Sequence, residues 1–174
     1  MNRTITLVFC TFVLASSFAD AAVNGVWKNF SADTNAPKSA DAVYVGSSGD
    51  VWTGTWGGKL CRFDGTSWTV PITGVDQTND VEAIARDRKG TLWAGGMRGL
   101  ASFDGAAWAS RDTTAGFPQM WVLDIFEDRN GIIWFGTNGK GLVKYDGASC
   151  TIFNTKNSGL KNDKIYAVKE DIDG

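Results

Sequence analysis

The 174 residues carry 17 Lys and Arg against 19 Asp and Glu, a formal net charge of −2 with no basic run, so nothing in the chain suits a nucleic-acid partner. At 43% hydrophobic content there is apolar material for an ordinary core, and the absence of histidine removes a phosphoacceptor histidine, histidine-activated nucleophiles and histidine metal ligands.

Met1 to Ala21 has the form of a secretory signal peptide: Arg3 gives a basic start, Ile5 to Ala15 is an apolar run, and Ala19-Asp20-Ala21 is a small-x-small cleavage pattern. The run is too short to span a bilayer. A mature chain beginning near Ala22, periplasmic or secreted, is therefore expected, with no membrane contact after signal removal. A lipoprotein signal ending at Cys10 is disfavoured by the bulky Leu7-Val8-Phe9 before it.

Gly25-Val26-Trp27 matches Gly65-Thr66-Ser67-Trp68 and Gly105-Ala106-Ala107-Trp108, and reads as a fourth strand (25–31) with no preceding three. The rest of the chain repeats. A Gly-x-x-Trp-x-Gly frame stands at Gly49 to Gly54, Gly90 to Gly95 and Gly131 to Gly136, with Trp52, Trp93 and Trp134 each 41 residues apart. That period lies in the range of four-stranded propeller blades.

Each repeat reads as four short strands. First strands are expected at Ser39 to Val45, Asp80 to Arg86, Trp121 to Glu127 and Lys164 to Glu170; the second carries the tryptophan, and the third begins at Leu60, Leu100 and Leu142. Turns with Asp and Gly, such as Asp87 to Gly90, Asp128 to Gly131 and Asp171 to Gly174, join the first two strands, and Asp64-Gly65, Asp104-Gly105 and Asp146-Gly147 join the last two. The expected fold is an all-β propeller of three complete blades, 39–71, 80–111 and 121–153, preceded by an outer strand and followed by a partial blade at 164–174.

Closed propellers have 4 to 8 blades, so an N-terminal fragment of a longer propeller, or self-association of copies, is expected. Innermost strands crowd an axis, which suits the small Ala42, Ala83 and Ala167 where the fourth member is Asp124. The second-strand tryptophans should fill the gaps between blades, an upper bound of roughly 4 to 6 kcal/mol per ring at ~25 cal/mol/Å². In this register Cys61 and Cys150 lie two blades apart, too far for a disulfide, and both are expected to be buried free thiols.

The succession Val81-Glu82-Ala83-Ile84, Asp87-x-x-Gly90, Leu92-Trp93-Ala94-Gly95, Gly99-Leu100 and Phe103-Asp104-Gly105 resembles the two-component regulator propeller repeat, and Val122 to Gly147 matches it best. Departures are Gly46 for the turn aspartate, Gly96 where Thr55 and Thr137 stand in the other copies, and Cys150 for the outer tryptophan. The resemblance implies the periplasmic sensor half of a membrane histidine kinase, often a hybrid one tied to polysaccharide use, in which two seven-bladed propellers precede a β-sandwich, a transmembrane helix and the kinase parts. None of those later parts lies in this sequence.

Connections from second to third strand should crown one face of the propeller, bringing Trp56, Lys59, Met97, Arg98, Asn138 and Lys140 to the same surface. An indole beside basic and amide groups suits an oligosaccharide ligand, acidic ones included. Solvated loop tips are the plain alternative. A propeller enzyme, a polysaccharide lyase or glycoside hydrolase, would need facing carboxylates, and Asp124 is a single inner one, for which a pore-lining or hydrogen-bonded structural carboxylate is the plain alternative. A calcium loop at Asp171 to Gly174 lacks the rest of its ligand series. No catalytic residue, metal or cofactor is expected in this segment, and a protein-interaction scaffold stays open beside the sensor reading.

Overall fold

The computed structural model describes residues 35–57, 59–70 and 80–172. The signal peptide, the outer strand at 25–31 and the last two residues of the partial blade lie outside the described residues. Among the described residues twelve strands form three antiparallel sheets, each a simple meander. The first holds β1 (Ala42–Val45), β2 (Val51–Gly54), β3 (Leu60–Phe63) and β4 (Trp68–Thr69). The second holds β5 (Val81–Arg86), β6 (Leu92–Gly96), β7 (Gly99–Phe103) and β8 (Trp108–Ser110). The third holds β9 (Val122–Glu127), β10 (Ile133–Thr137), β11 (Leu142–Tyr145) and β12 (Cys150–Phe153).

The sheets stand side by side through their first strands: β1 contacts β5, and β5 contacts β9. This is the blade arrangement of a propeller, incomplete in this chain. A short 3₁₀ turn at Thr113–Ala115, capped by Asp112, interrupts the connection between β8 and β9.

Side chains alternate across each strand, so every blade offers one face to the blade before it and one to the blade after. Trp52, Leu60 and Tyr44 meet Val81, Leu92, Ala94, Phe103 and Trp108 in one cluster. Trp93 and Leu100 meet Val122, Ile125, Ile133, Phe135 and Val143 in the next, together with Phe117 and Met120 from the long connection. The tryptophan rings thus sit at the joints: Trp52 lies 6.4 Å from Phe103 and from Trp108, and Trp93 lies 5.9 Å from Phe135 and 5.8 Å from Tyr145.

The two glycines of the Gly-x-x-Trp-x-Gly frame have different causes. The first has positive φ, 85° at Gly49, 90° at Gly90 and 81° at Gly131, as its turn demands. The second lies flat against the next blade. A Cβ on Gly95 would stand 2.6 Å from Val122 Cγ1, and one on Gly136 would stand 2.8 Å from the Ile165 carbonyl oxygen.

The segment 164–170, expected as a first strand, forms no strand among the described residues. It keeps the register of one: Lys164 bridges Asn138, the Ile165 N–H donates to the Thr137 carbonyl at 2.9 Å, and Ile165 covers Gly136 as Val122 covers Gly95. A strand needs a laddered neighbour, and no second strand lies beside this segment among the described residues. Among the described residues neither Cys61 nor Cys150 is in a disulfide, but only Cys61 is fully buried; Cys150 is half-buried, and burial pushes its thiol pKa up.

Candidate functional site

In a four-stranded meander the connections β2–β3, β6–β7 and β10–β11 emerge on one face. Trp56 and Lys59 stand on the first, Met97 and Arg98 on the second, and Asn138 and Lys140 on the third. The Trp56 side chain is strongly exposed, at 79%, and Met97, Lys59, Arg98 and Lys140 are also exposed, while Asn138 is half-buried.

The loops are not equivalent in build. Thr55 Oγ1 donates to the Lys59 carbonyl at 3.1 Å, and Thr137 Oγ1 to that of Gly141 at 2.6 Å, each closing a loop of the same length. In the second blade Gly96 pairs directly with Gly99, so Met97 and Arg98 form a two-residue turn with no span for a threonine to close. That explains why Gly96 replaces the threonine. Trp56 and Asn138 are also tied through their backbones, Trp56 in a bridge with Asp80 and Asn138 in one with Lys164.

Asp124 does not belong to this cluster. It lies in the inner strand β9, half-buried, and its Oδ2 accepts the Val168 N–H at 2.7 Å. Its carboxylate thereby fastens the 164–170 segment to the third blade. Asp64, Asp104 and Asp146 each accept two backbone N–H groups at 2.8 to 2.9 Å within their turns, which holds all three carboxyls below the ordinary carboxylate range. Among the described residues no group of three or more acidic or cysteine side chains is placed to hold a metal ion.

The opposite face, carrying the β1–β2 and β7–β8 turns, holds a second constellation that loop comparison misses. In the second and third blades the turn aspartate receives the tryptophan: Trp93 Nε1 donates to Asp87 Oδ2 at 3.0 Å, and Trp134 Nε1 to Asp128 Oδ2 at 3.0 Å. In the first blade Gly46 occupies the aspartate position, and the indole of Trp52 instead donates to Asp50 Oδ2 at 2.7 Å. A Cβ on Gly46 would strike the Asp50 carboxylate, so the two positions exchange roles within one turn. Asp50 is buried and also accepts from the Ser48 hydroxyl. Burial pushes its carboxyl up, but the hydrogen bonds from Ser48 and Trp52 and the charges of Arg86 and Arg62 outweigh that and hold it below the usual range.

A cation covers each second-strand tryptophan. Arg62 lies 5.7 Å from the Trp52 ring centre and Lys144 lies 6.0 Å from that of Trp134. Their counterpart in the second blade is Ser102, and there Arg111 reaches in from the long connection, 5.5 Å from Trp93, with its Nε bonded to Ser102 Oγ at 2.8 Å.

The joints themselves differ. Arg88 clamps the third blade through Glu127 Oε1 at 2.8 Å and the carbonyls of Asp128 and Arg129. One period on, Arg129 repeats this with Glu170 at 2.9 Å and the carbonyls of Asp171 and Ile172. Between the first and second blades the equivalent positions are Ser47 and Arg86, so that joint has no such clamp. It opens instead into a hollow of about 340 Å³ lined by Ser48, Asp50, Arg62, Thr69, Arg86 and Phe103. The signal was present in the sequence as an arginine in line with Glu127 and Glu170, and as the shifted carboxylate at Asp50.

On the outer face of the third blade, a second hollow of about 380 Å³ lies beside Trp134, with Leu142, Phe153 and Leu160 in its wall. Phe135 and Tyr145 occupy the equivalent place against Trp93.

The fold and its repeated joints define an incomplete β-propeller. The model of the family described as "Two component regulator propeller" matches residues 116–139, so the chain carries that repeat in its third blade. Among solved structures, the extracellular domain of a putative hybrid two component system from B. thetaiotaomicron aligns with a TM-score of 0.67 at 24% identity, over 82% of this chain and 21% of that one. The extracellular domain of a putative one component system from the same organism aligns with a TM-score of 0.67 at 18% identity, over 83% and 21%. PorZ, a surface component of the type-IX secretion system of Porphyromonas gingivalis, gives 0.58 at 17% identity, over 72% and 22%. These likenesses establish the shared propeller fold, and the chain spans about a fifth of the length of each structure. No curated protein matches the chain.

Proposed function

We propose that this chain is part of an extracytoplasmic ligand-sensing propeller of a two-component signalling system, responsive to carbohydrate, with no catalysis of its own. The observation that carries the reading is the contrast between a blade scaffold whose four-stranded meander and Asp-Gly turns recur in every blade and a crown of second-to-third-strand loops whose exposed side chains differ from blade to blade. Trp56, with its indole almost fully exposed, shares that crown with Lys59, Met97, Arg98, Asn138 and Lys140. A flat apolar ring stacks on a sugar face, and the nearby cations and amide suit hydroxyl and carboxylate groups. The repeat in the third blade and the likeness to extracellular domains of two component systems support the sensor class and a location outside the cytoplasm. The hollow at Trp134 fits the same picture as the seat of a further blade. An enzyme reading has less support, because Asp124, Asp64, Asp104 and Asp146 all have structural partners.

The test is an oligosaccharide screen on the full-length protein, followed by melting with the best binder. Trp56→Ala combined with Arg98→Ala should abolish the ligand-induced rise in Tm. An undiminished rise would refute the site.

A further inference from the structure

The joint between the first and second blades differs from the other two in kind. We infer that the hollow formed by Ser48, Asp50, Arg62, Thr69 and Arg86 is a second binding site, for a small hydroxylated molecule bearing one carboxylate, of the size and chemistry of a hexuronic acid.

Three observations carry this. The first is an unmet donor: Arg86 Nε is buried and has no hydrogen-bond partner among the described residues. Buried guanidinium donors are normally satisfied, and this one belongs to a side chain that lines the hollow. The second is a charge imbalance. Arg62 Nε and Arg86 Nη2 stand 3.7 and 3.8 Å from the same Asp50 oxygen, beyond the length of a charge-assisted hydrogen bond. That oxygen is already taken by Trp52, and its partner oxygen by Ser48. Two guanidiniums facing one committed carboxylate leave a net positive charge in a partly enclosed space. A single carboxylate on the ligand neutralises it, whereas a phosphate or sulfate dianion would be repelled by Asp50. The third is the pattern of replacement. Ser47 and Arg86 stand where the other joints have the Arg88–Glu127 and Arg129–Glu170 clamps, so the arginine–glutamate pair that elsewhere locks blade to blade is missing here and Arg86 lines the hollow instead.

The hollow also has a ligand's proportions. Its volume of about 340 Å³ falls in the range of small-molecule sites. Phe103 gives it an apolar wall, and the Ser48 and Thr69 hydroxyls supply further acceptors for the hydroxyls of a sugar. Arg62 is held over Trp52 and Arg86 over Tyr44, at 5.7 and 5.8 Å, so both cations are placed before a ligand arrives. The site lies on the face opposite the Trp56 loops and does not rest on the sensor reading.

Isothermal titration of the full chain with glucuronate, its neutral methyl ester, glucose and acetate tests the assignment. Glucuronate should bind, and the ester and glucose should not. Acetate should bind more weakly than glucuronate. Arg86→Gln should weaken glucuronate binding by roughly tenfold or more, the loss of a charge-assisted pair. A second variant guards against a folding defect: Gly46→Asp, Ser47→Arg, Asp50→Thr and Arg86→Glu together graft onto this joint the residues of the next. It should melt no lower than the parent chain and bind no glucuronate, with the Trp56 face untouched. Absent binding to the parent chain, equal binding of the ester or acetate, or undiminished binding by Arg86→Gln would each overturn the proposal.

Discussion

The two glycines of the Trp93 frame separate two physical causes that look identical in sequence. Gly95 is sterically blocked: an added Cβ would lie 2.6 Å from Cγ1 and 2.7 Å from Cβ of Val122, against the 3.5 to 4.0 Å at which carbons pack. Val122 is fully buried and cannot swing away, so Gly95→Ala must push the second and third blades apart by about 1 Å or distort β6. Overpacking of this kind costs about 2 kcal/mol, which for a chain of this size lowers Tm by roughly 4 to 8 °C. Gly90 has nothing within 4 Å of an added Cβ and is required only for its φ of 90°. There Asn, which tolerates the left-handed region, should cost well under 1 kcal/mol. The assay is urea or thermal unfolding followed by tryptophan fluorescence. The distinguishing readout is rescue: Val122→Gly costs stability alone, but it removes every Val122 carbon that the added Cβ would strike, so it should recover much of the Gly95→Ala loss when combined with it and should not help a Gly90 variant. If the Gly95→Ala and Val122→Gly effects simply add, the joint is not held by that contact.

The interblade clamp and the carboxylates make two further predictions. Arg88→Ala removes the bonds to Glu127 and to two turn carbonyls of the third blade; with the arginine half-exposed, the loss should be about 1 kcal/mol in dilute buffer and smaller in 0.5 M salt, a contrast that unfolding curves at two salt levels reveal. For Asp50 and Asp128 the folded state holds the carboxyl below its ordinary range. Each therefore adds stability that is present above the unfolded pKa, about 4, and is lost as pH falls through the depressed folded value. Tm should stay flat from neutral pH to about pH 5 and fall below about pH 4, and Asp128→Asn should narrow the gap between pH 7 and pH 3; an unchanged gap would remove Asp128 from the acid response.

By itself, the sequence determined the architecture. The 41-residue recurrence of Trp52, Trp93 and Trp134, with Asp-Gly turns between, specifies blades because a strand with period-two burial must bury its large ring against a neighbour, and identical units bury identical rings. It also showed which loops share a face, since strand alternation fixes which connections emerge together. The tertiary structure alone decided which of two glycines meets a neighbouring blade, and that Asp124 fastens the 164–170 segment rather than standing free at the axis. It also showed that Asp50, shifted four places along its turn from Gly46, does for Trp52 what Asp87 does for Trp93. The physical reason is common to the first two: local pattern dictates what a residue does along its own strand, but a joint is made by residues far apart in sequence, 27 positions for Gly95 and Val122 and 44 for Asp124 and Val168. Ser47 and Arg86 illustrate this, for each is unremarkable alone, and only the packing of blade on blade shows that they stand where the other joints have their clamp, beside a hollow that Arg86 lines.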